Sequence, residues 1–317
     1  MPDAYLTLET TGRQYPLAGG LSWAIGRGDG CAVMLDSRSV SRLHALIQRR
    51  DAGDFSLVDL GSRNGSFVND KRVCIPQVLS DQDHLVFGDE KLVFRNPSPS
   101  TTVAAPGTDT RTAPTFALHS QMLATIVVVD IRDYTPLART IPEALLAQAI
   151  GTWFLRVGQI AQRLGSWAQR YIGDAVMAVW VHDDPNRVQQ DLWSALRAVS
   201  EIEAATSEIS SILPLPGPLR IGAGINTGSA TLGGSEYAAM GDTVNAAFRL
   251  EAATKALGRG VLLGQGTYAN LGTASGLPFV QHEVELKGYD LPAAAWSTTF
   301  DQLRESVRAY AQKARGM

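Results

Sequence analysis

The sequence of 317 residues predicts two domains of different class, an all-β sandwich followed by an alternating α/β domain with a mixed or antiparallel sheet. Three observations carry this. Residues 1–95 are a succession of brief apolar runs broken by Gly, Asp, Ser and Asn. Residues 96–116, NPSPSTTVAAPGTDTRTAPTF, can bury little side chain and read as a flexible linker. From 117 to about 300, strand-like and helix-like periods alternate, and a helical tail follows over 301–317.

The N-terminal strands are YLTLE, SWAI, AVML, HALIQRR, FSLVDL, SFVN, RVCI and HLVF, each rich in β-branched or aromatic residues. After the linker comes ATIVVVD. A helix from about Pro142 to Arg163 follows, because Leu146, Ile150, Trp153, Val157 and Ile160 recur at helical spacing and Pro142 suits a first turn. Two strands then flank Gly173-Asp174, an ordinary hairpin turn pair. A helix over 187–206, a strand over 219–225, a helix over 243–257, the strand VLLG from Val261 and the strand FVQHEVELKG complete the series. Trp153, Trp167, Trp180, Trp193 and Met177 lie in apolar segments and are expected in the core or at an interface rather than stacked on a ligand.

Composition excludes several classes. The net charge of -3 argues against a nucleic-acid binder that works through bulk positive charge. Cys31 and Cys74 stand in neither a CxxC pair nor zinc-site spacing with His, so a reducing compartment is expected. The longer apolar stretches, such as MLATIVVV, fall short of the roughly 20 residues of a membrane helix. A cytoplasmic location without membrane or nucleic-acid partners is the expectation.

In the β domain, polar and glycine residues gather in Gly26-Arg27, in SVSRLHALI with Ser41, Arg42 and His44, and in DLGSRNGSFVN with Asn64 and Gly65. Two arginines and a hydroxyl would supply the donors a phosphate dianion takes. The same residues also read as turn formers, since Asn64-Gly65 is a hairpin signal. Taken together, GR, SxxH, SxNG and the following VN resemble the forkhead-associated (FHA) domain over about residues 5–95. The resemblance implies an eleven-stranded sandwich that binds phosphothreonine peptides. Arg27, Ser41 and Arg42 would hold the phosphate, Asn64 would bond the peptide backbone, and Gly26, His44 and Gly65 would shape the loops. The linker threonines, from Thr101 to Thr115, offer a phosphorylated segment that docks on the same domain.

In the second domain Asp130 ends a buried run and Asp174 sits at a hairpin. Two such carboxylates on neighbouring strands repel unless a cation lies between them, and magnesium or manganese suits two carboxylates with phosphate oxygens. They read otherwise as turn and strand-end acids. In AMGDTVNAAFRLEAATKALG, Asn245 and Arg249 are four apart and share a helix face, where an amide and a cation suit a sugar oxygen and a phosphoryl group. The alternative is a surface helix with Arg249 paired to Glu251 or another acid.

Residues 122–296 resemble the catalytic domain of class III nucleotidyl cyclases, through the DI segment at Asp130, the IGD hairpin at Asp174 and the GDTVNxAxRL helix. The resemblance implies an α+β ferredoxin-like fold and a head-to-tail homodimer with active sites between subunits. Asp130 and Asp174 would bind two Mg2+ or Mn2+ ions with the carbonyl of Ile131. Asn245 and Arg249 of the other chain would stabilise the transition state, and Lys287 would bind phosphate. The implied reaction is attack of a ribose 3′-oxygen on the α-phosphorus of a nucleoside triphosphate. Adenine-reading members carry a lysine and an aspartate or threonine where this chain has Arg170 and Ala238. ATP cyclisation with Tyr171 or Glu236 as substitute readers, a guanine or pyrimidine nucleotide read by Arg170, and a non-catalytic dimeric adaptor all remain open.

Overall fold

The computed structural model describes residues 4–50, 54–97, 119–233, 238–272, 278–286, 289 and 291–315. The expected linker, with its threonines, lies almost wholly outside the described residues, as do Glu236 and Lys287. The chain divides into two compact units, one built on Met1–His119, Pro142–Thr152 and Gly233–Ala238 and the other on Ser120–Ile141, Trp153–Leu232 and Ala239–Met317, so that the helix over 143–163 begins in the first and has its larger part in the second.

The first unit contains strands β1 (Tyr5–Leu8), β2 (Gln14–Pro16), β3 (Ser22–Gly26), β4 (Val33–Met34), β5 (Ala45–Arg49), β6 (Phe55–Asp59), β7 (Ser66–Val68), β8 (Lys71–Arg72), β9 (Gln77–Leu79), β10 (His84–Phe87) and β11 (Glu90–Arg95). They form a six-stranded sheet, β2-β1-β11-β10-β7-β8, and a five-stranded sheet, β4-β3-β5-β6-β9. Period-two alternation turns Leu6, Ile25, Ile47, Leu57, Leu85, Leu92 and Phe94 into one shared core. RVCI is a correction: only Arg72 belongs to a strand, because Val73 drops into the core and Pro76 has no N–H to continue a ladder.

The second unit holds strands β12 (His119–Ile131), β13 (Ala168–Ile172), β14 (Ala175–Val181), β15 (Ile221–Gly233), β16 (Ala238–Met240), β17 (Val261–Gly264), β18 (Val280–Val284) and β19 (Ala293–Thr298). Its helices are α1 (Tyr134–Thr140), α2 (Glu143–Arg163), α3 (Val188–Ile212), α4 (Asp242–Ala256), α5 (Gln265–Asn270) and α6 (Phe300–Arg315). The sheet runs β13-β14-β12-β15-β17-β19-β18, with β16 on β15. The sequence β12-α2-β13-β14-α3-β15, with β12 between β14 and β15 and β13 outermost, is the split βαβ arrangement of ferredoxin-like folds. β15 and β17 pair in parallel while β12 and β14 pair antiparallel, so the sheet is mixed.

Helix α3 runs past the expected end at 206 because Ile202, Ala205 and Ile209 continue its buried stripe. It stops where Leu213, forced out of the helical region by Pro214, turns extended at ψ 143°. Trp153, Trp180, Trp193 and Met177 are buried as expected, whereas Trp167 is 40% exposed. A polar chain crosses the buried sheet: His182 Nε2 and Thr125 Oγ1 lie 2.7 Å apart, Thr125 and Thr227 hydroxyls 2.9 Å, and Thr227 and Thr267 hydroxyls 3.0 Å. Among the described residues, no helix is long and apolar enough to cross a membrane.

Candidate functional sites

In the first unit, backbone bonds draw three loops together. The Arg27 N–H donates to the Ser41 carbonyl and the Gly28 N–H to the Arg42 carbonyl, both at 3.0 Å. A methyl at Gly26 would collide with that Arg42 carbonyl, so the close approach demands glycine. His44 is fully buried and ties the next loop. Its Nδ1 accepts from the Ser41 N–H at 3.0 Å, so Nε2 carries the proton and donates to the Gly65 carbonyl at 3.2 Å. Burial pushes the His44 pKa down, which favours this neutral tautomer. Gly65 turns the chain at φ 81°, a conformation strained for any other residue.

The loop bearing Asn64 is fixed from beneath by Asp59, which accepts from the N–H groups of Gly61 and Ser62 and the hydroxyls of Ser62 and Ser66 at 2.6–3.0 Å. Ser41 Oγ accepts from the Arg63 N–H at 3.2 Å, and Asn64 Nδ2 donates to the Ser39 carbonyl at 2.6 Å. The residues expected to hold a phosphopeptide thus meet at one end of the sandwich, with Arg27 and Arg42 exposed. Asp59 was not singled out from sequence, although an acid two positions before a Gly-Ser pair is a loop-organising signal.

In the second unit, Asp130 pairs in register with Ala175, next to Asp174 in the tight turn made by Gly173 at φ 60°. Asp130 is half-buried, and its Oδ1 is buried without a hydrogen-bond partner. Burial first, and then the Asp174 charge, push its pKa up to about 6. An orphaned buried carboxylate oxygen facing a second carboxylate fits a hard divalent cation. Among the described residues, no group of three His, Cys, Asp or Glu side chains is arranged for a metal, so backbone and substrate oxygens would complete its shell.

Glu251 is a third acid near this pair that sequence spacing missed. Burial, then Asp130, push it up to about 7, while Arg132 pulls it back. It arrives there because α4 closes onto β15 at Gly222 and Gly224, where a methyl would strike Glu251 and the Ala247 carbonyl. Each helical residue turns about 100°, so Arg249 and Asn245 lie on the side of α4 roughly opposite Glu251. The alternative reading of an Arg249–Glu251 pair is therefore not what the helix forms. The Arg249 guanidinium instead lies 4.7 Å from the ring centroid of Tyr289, whose hydroxyl donates to Asp242. Burial, and then Asp242, push the Tyr289 hydroxyl up.

Arg170 pairs with Met177 on β14, and Met177 with Val128 on β12. Val128 and Asp130 share a sheet face, so Arg170 lies on the Asp130 face, two strands across. Tyr171 faces the other way. Its ring meets Phe154 edge-on at 5.3 Å and its hydroxyl lies over Gly158 of α2, where burial pushes it up to about 12. It is therefore no substitute base reader in this fold, because its hydroxyl is spent beneath a helix. Ala238 opens β16, and Ile131 is buried on the face opposite Asp130.

Residues 23–88 match the family model of the FHA domain. The adenylate cyclase of Anabaena cylindrica is 28% identical over 176 residues, 52% of this chain and 34% of that protein. The oxoglutarate dehydrogenase inhibitor of Corynebacterium diphtheriae is 42% identical over 69 residues, 22% of this chain and 47% of that protein. The solved guanylyl cyclase Cya2 superposes with a TM-score of 0.50 at 23% identity, over 56% of this chain and 92% of that one. The chain thus spans about a third of the length of the cyanobacterial relative and about half of the corynebacterial one.

Proposed function

We propose that this chain, an FHA domain followed by a domain with the class III nucleotidyl cyclase fold, is a metal-dependent cyclase whose FHA domain engages a phosphothreonine partner. The observation that carries the catalytic half is the Asp130–Asp174 pair with its orphaned buried oxygen. Asp130, Asp174 and the carbonyl of Ile131 would hold Mg2+ or Mn2+. When bound, such ions would lower the cost of forming an alkoxide nucleophile and of releasing pyrophosphate.

The chain's own residues do the rest. Asn245 orients the ribose, and Arg249 takes up negative charge that develops on the α-phosphoryl group. In this reading the site is shared between two copies of the chain, which is supported by the turn of α4 that carries both residues away from the side of Glu251. Lys287 serves the terminal phosphates. In the FHA domain Arg27, Arg42 and Ser41 bind the phosphate of a phosphothreonine, from another protein or from the chain's own linker, and Asn64 releases Ser39 to bond the peptide.

ATP to cyclic AMP is the favoured reaction, supported by the cyanobacterial relative. A second reading, a guanine or pyrimidine nucleotide, is favoured by Arg170 on the Asp130 face, where a guanidinium can donate to a base carbonyl. The test is a mass-resolved product assay of the whole chain with manganese and, separately, ATP, GTP, CTP and UTP. Cyclic product from any of them, lost in Asp130→Asn and Asp174→Asn but kept in Arg27→Ala, supports a cyclase and names its base. Silence from all four with intact phosphopeptide binding favours a non-catalytic adaptor.

A further inference from the structure

The second unit contains a cavity of about 460 Å³, within the usual range for small-molecule sites, that none of the proposed catalytic residues lines. Four cationic side chains converge on it from separate segments: Arg132 after β12, Arg220 before β15, Lys255 at the end of α4 and Arg259 in the turn to β17. Leu219, Ile221 and Phe300 give it an apolar wall.

Two carboxylates also line the cavity, and both are already engaged. Glu203 is paired with Arg304 at 2.5 Å and accepts from the Ser207 hydroxyl at 3.2 Å. Asp133 is clasped by Arg220 at 3.1 Å and Lys255 at 2.9 Å. Asp133 stands at the N-cap of α1 yet makes no capping bond, and its backbone takes the left-handed φ of 55°. Its carboxylate is therefore turned to the cations instead of its own helix. It behaves as an intramolecular anion at the mouth, held by exposed ion pairs that are individually weak and exchangeable. Arg132 is fixed by bonds to the Thr254 hydroxyl at 2.5 Å and the Arg259 carbonyl at 3.0 Å. Among the described residues, the Arg259 guanidinium has no acidic partner.

We propose that this cavity is a second ligand site that takes a compact oxyanion, a phosphate or carboxylate, carried on a small apolar or ring body. The anion displaces Asp133 from Arg220 and Lys255 and adds Arg259, while the body packs on Phe300 and Leu219. Arginine forks accept either planar or tetrahedral oxyanions through paired N–H groups. The site does not depend on cyclase activity.

The test is calorimetric titration of the whole chain in chelator, which removes divalent metal, with inorganic phosphate, phenyl phosphate and benzoate as separate probes. Saturable binding of phenyl phosphate or benzoate, at least about tenfold tighter than inorganic phosphate, is expected. Arg259→Ala and the surface variant Arg220→Glu weaken it at least about tenfold, while Asp174→Asn and Arg42→Ala leave it unchanged. The two ring probes tell a phosphate site from a carboxylate site. Binding abolished by Asp174→Asn or Arg42→Ala but not by Arg220→Glu, or no saturable binding of any probe, overturns the proposal.

Discussion

Arg249 rests on Tyr289. Its guanidinium lies 4.7 Å above the ring centroid, and the phenol beneath is itself tethered to Asp242 at the first turn of the same helix. Tyr289 thereby sets where the proposed transition-state cation points. Replacing the platform with Tyr289→Ala is expected to lower kcat by roughly 3–30-fold, the rate equivalent of a cation–π contact. Tyr289→Phe, which keeps the ring, should lose less than about threefold. Steady-state kinetics with unchanged KM in both variants checks the assignment.

Asp130 and Asp174 oppose each other with little to offset their charge. Asp130→Asn and Asp174→Asn should each cut manganese-dependent turnover at least about a hundredfold. In the metal-free chain, Asp130→Asn should raise the melting temperature, because it removes one of two repelling carboxylates. Manganese should narrow that gap by stabilising the parent chain alone. Scanning calorimetry with and without the metal reads both signs.

His44 is buried as the neutral imidazole, with a folded pKa below the ordinary value. As pH falls through about 6.5, the unfolded chain takes up a proton that the folded loop resists, so the FHA domain loses stability toward acid. Above that pH this contribution is fully present. Hydrogen exchange across residues 39–44 should accelerate between about pH 7 and 5.5 beyond the intrinsic trend, since protonation of Nδ1 removes the acceptor of the Ser41 N–H. The excess should vanish in His44→Gln.

Gly158 gives the Tyr171 hydroxyl its place. Gly158→Ala should destabilise the C-terminal domain by about 1–3 kcal/mol despite its better helix propensity, through overpacking. Tyr171→Phe removes the clashing oxygen and should restore most of the loss. A double-mutant cycle by denaturant unfolding, with a coupling below about 0.5 kcal/mol, would contradict the contact.

Much of this architecture is legible in the sequence because its signals are local. The run before Asp130, the Gly173-Asp174 turn and the α4 periodicity each announce themselves within a few residues. Strand AAAWST of β19 was hidden by its alanines, and α1 and α5 are too short to show a period. Glu251 and Tyr289 were not legible as site neighbours. Glu251 nears Asp130 only after α4 has settled on glycines of β15, and Tyr289 reaches Arg249 from 40 positions away in the chain. Spacing along a chain shows which side chains share a face, not what a distant segment brings to it.

Helix α4 carries two commitments on opposite sides, one toward its own sheet and one away from it. Under the proposed shared site, a solitary copy is an unfinished enzyme, and its output grows faster than linearly with local abundance until pairing saturates. A phosphorylated scaffold that gathers two copies through their FHA domains would then switch on catalysis by crowding alone, without touching either site. On that proposal, the orientation of one helical face would make the chain a coincidence detector, reporting that two copies have been summoned to the same place.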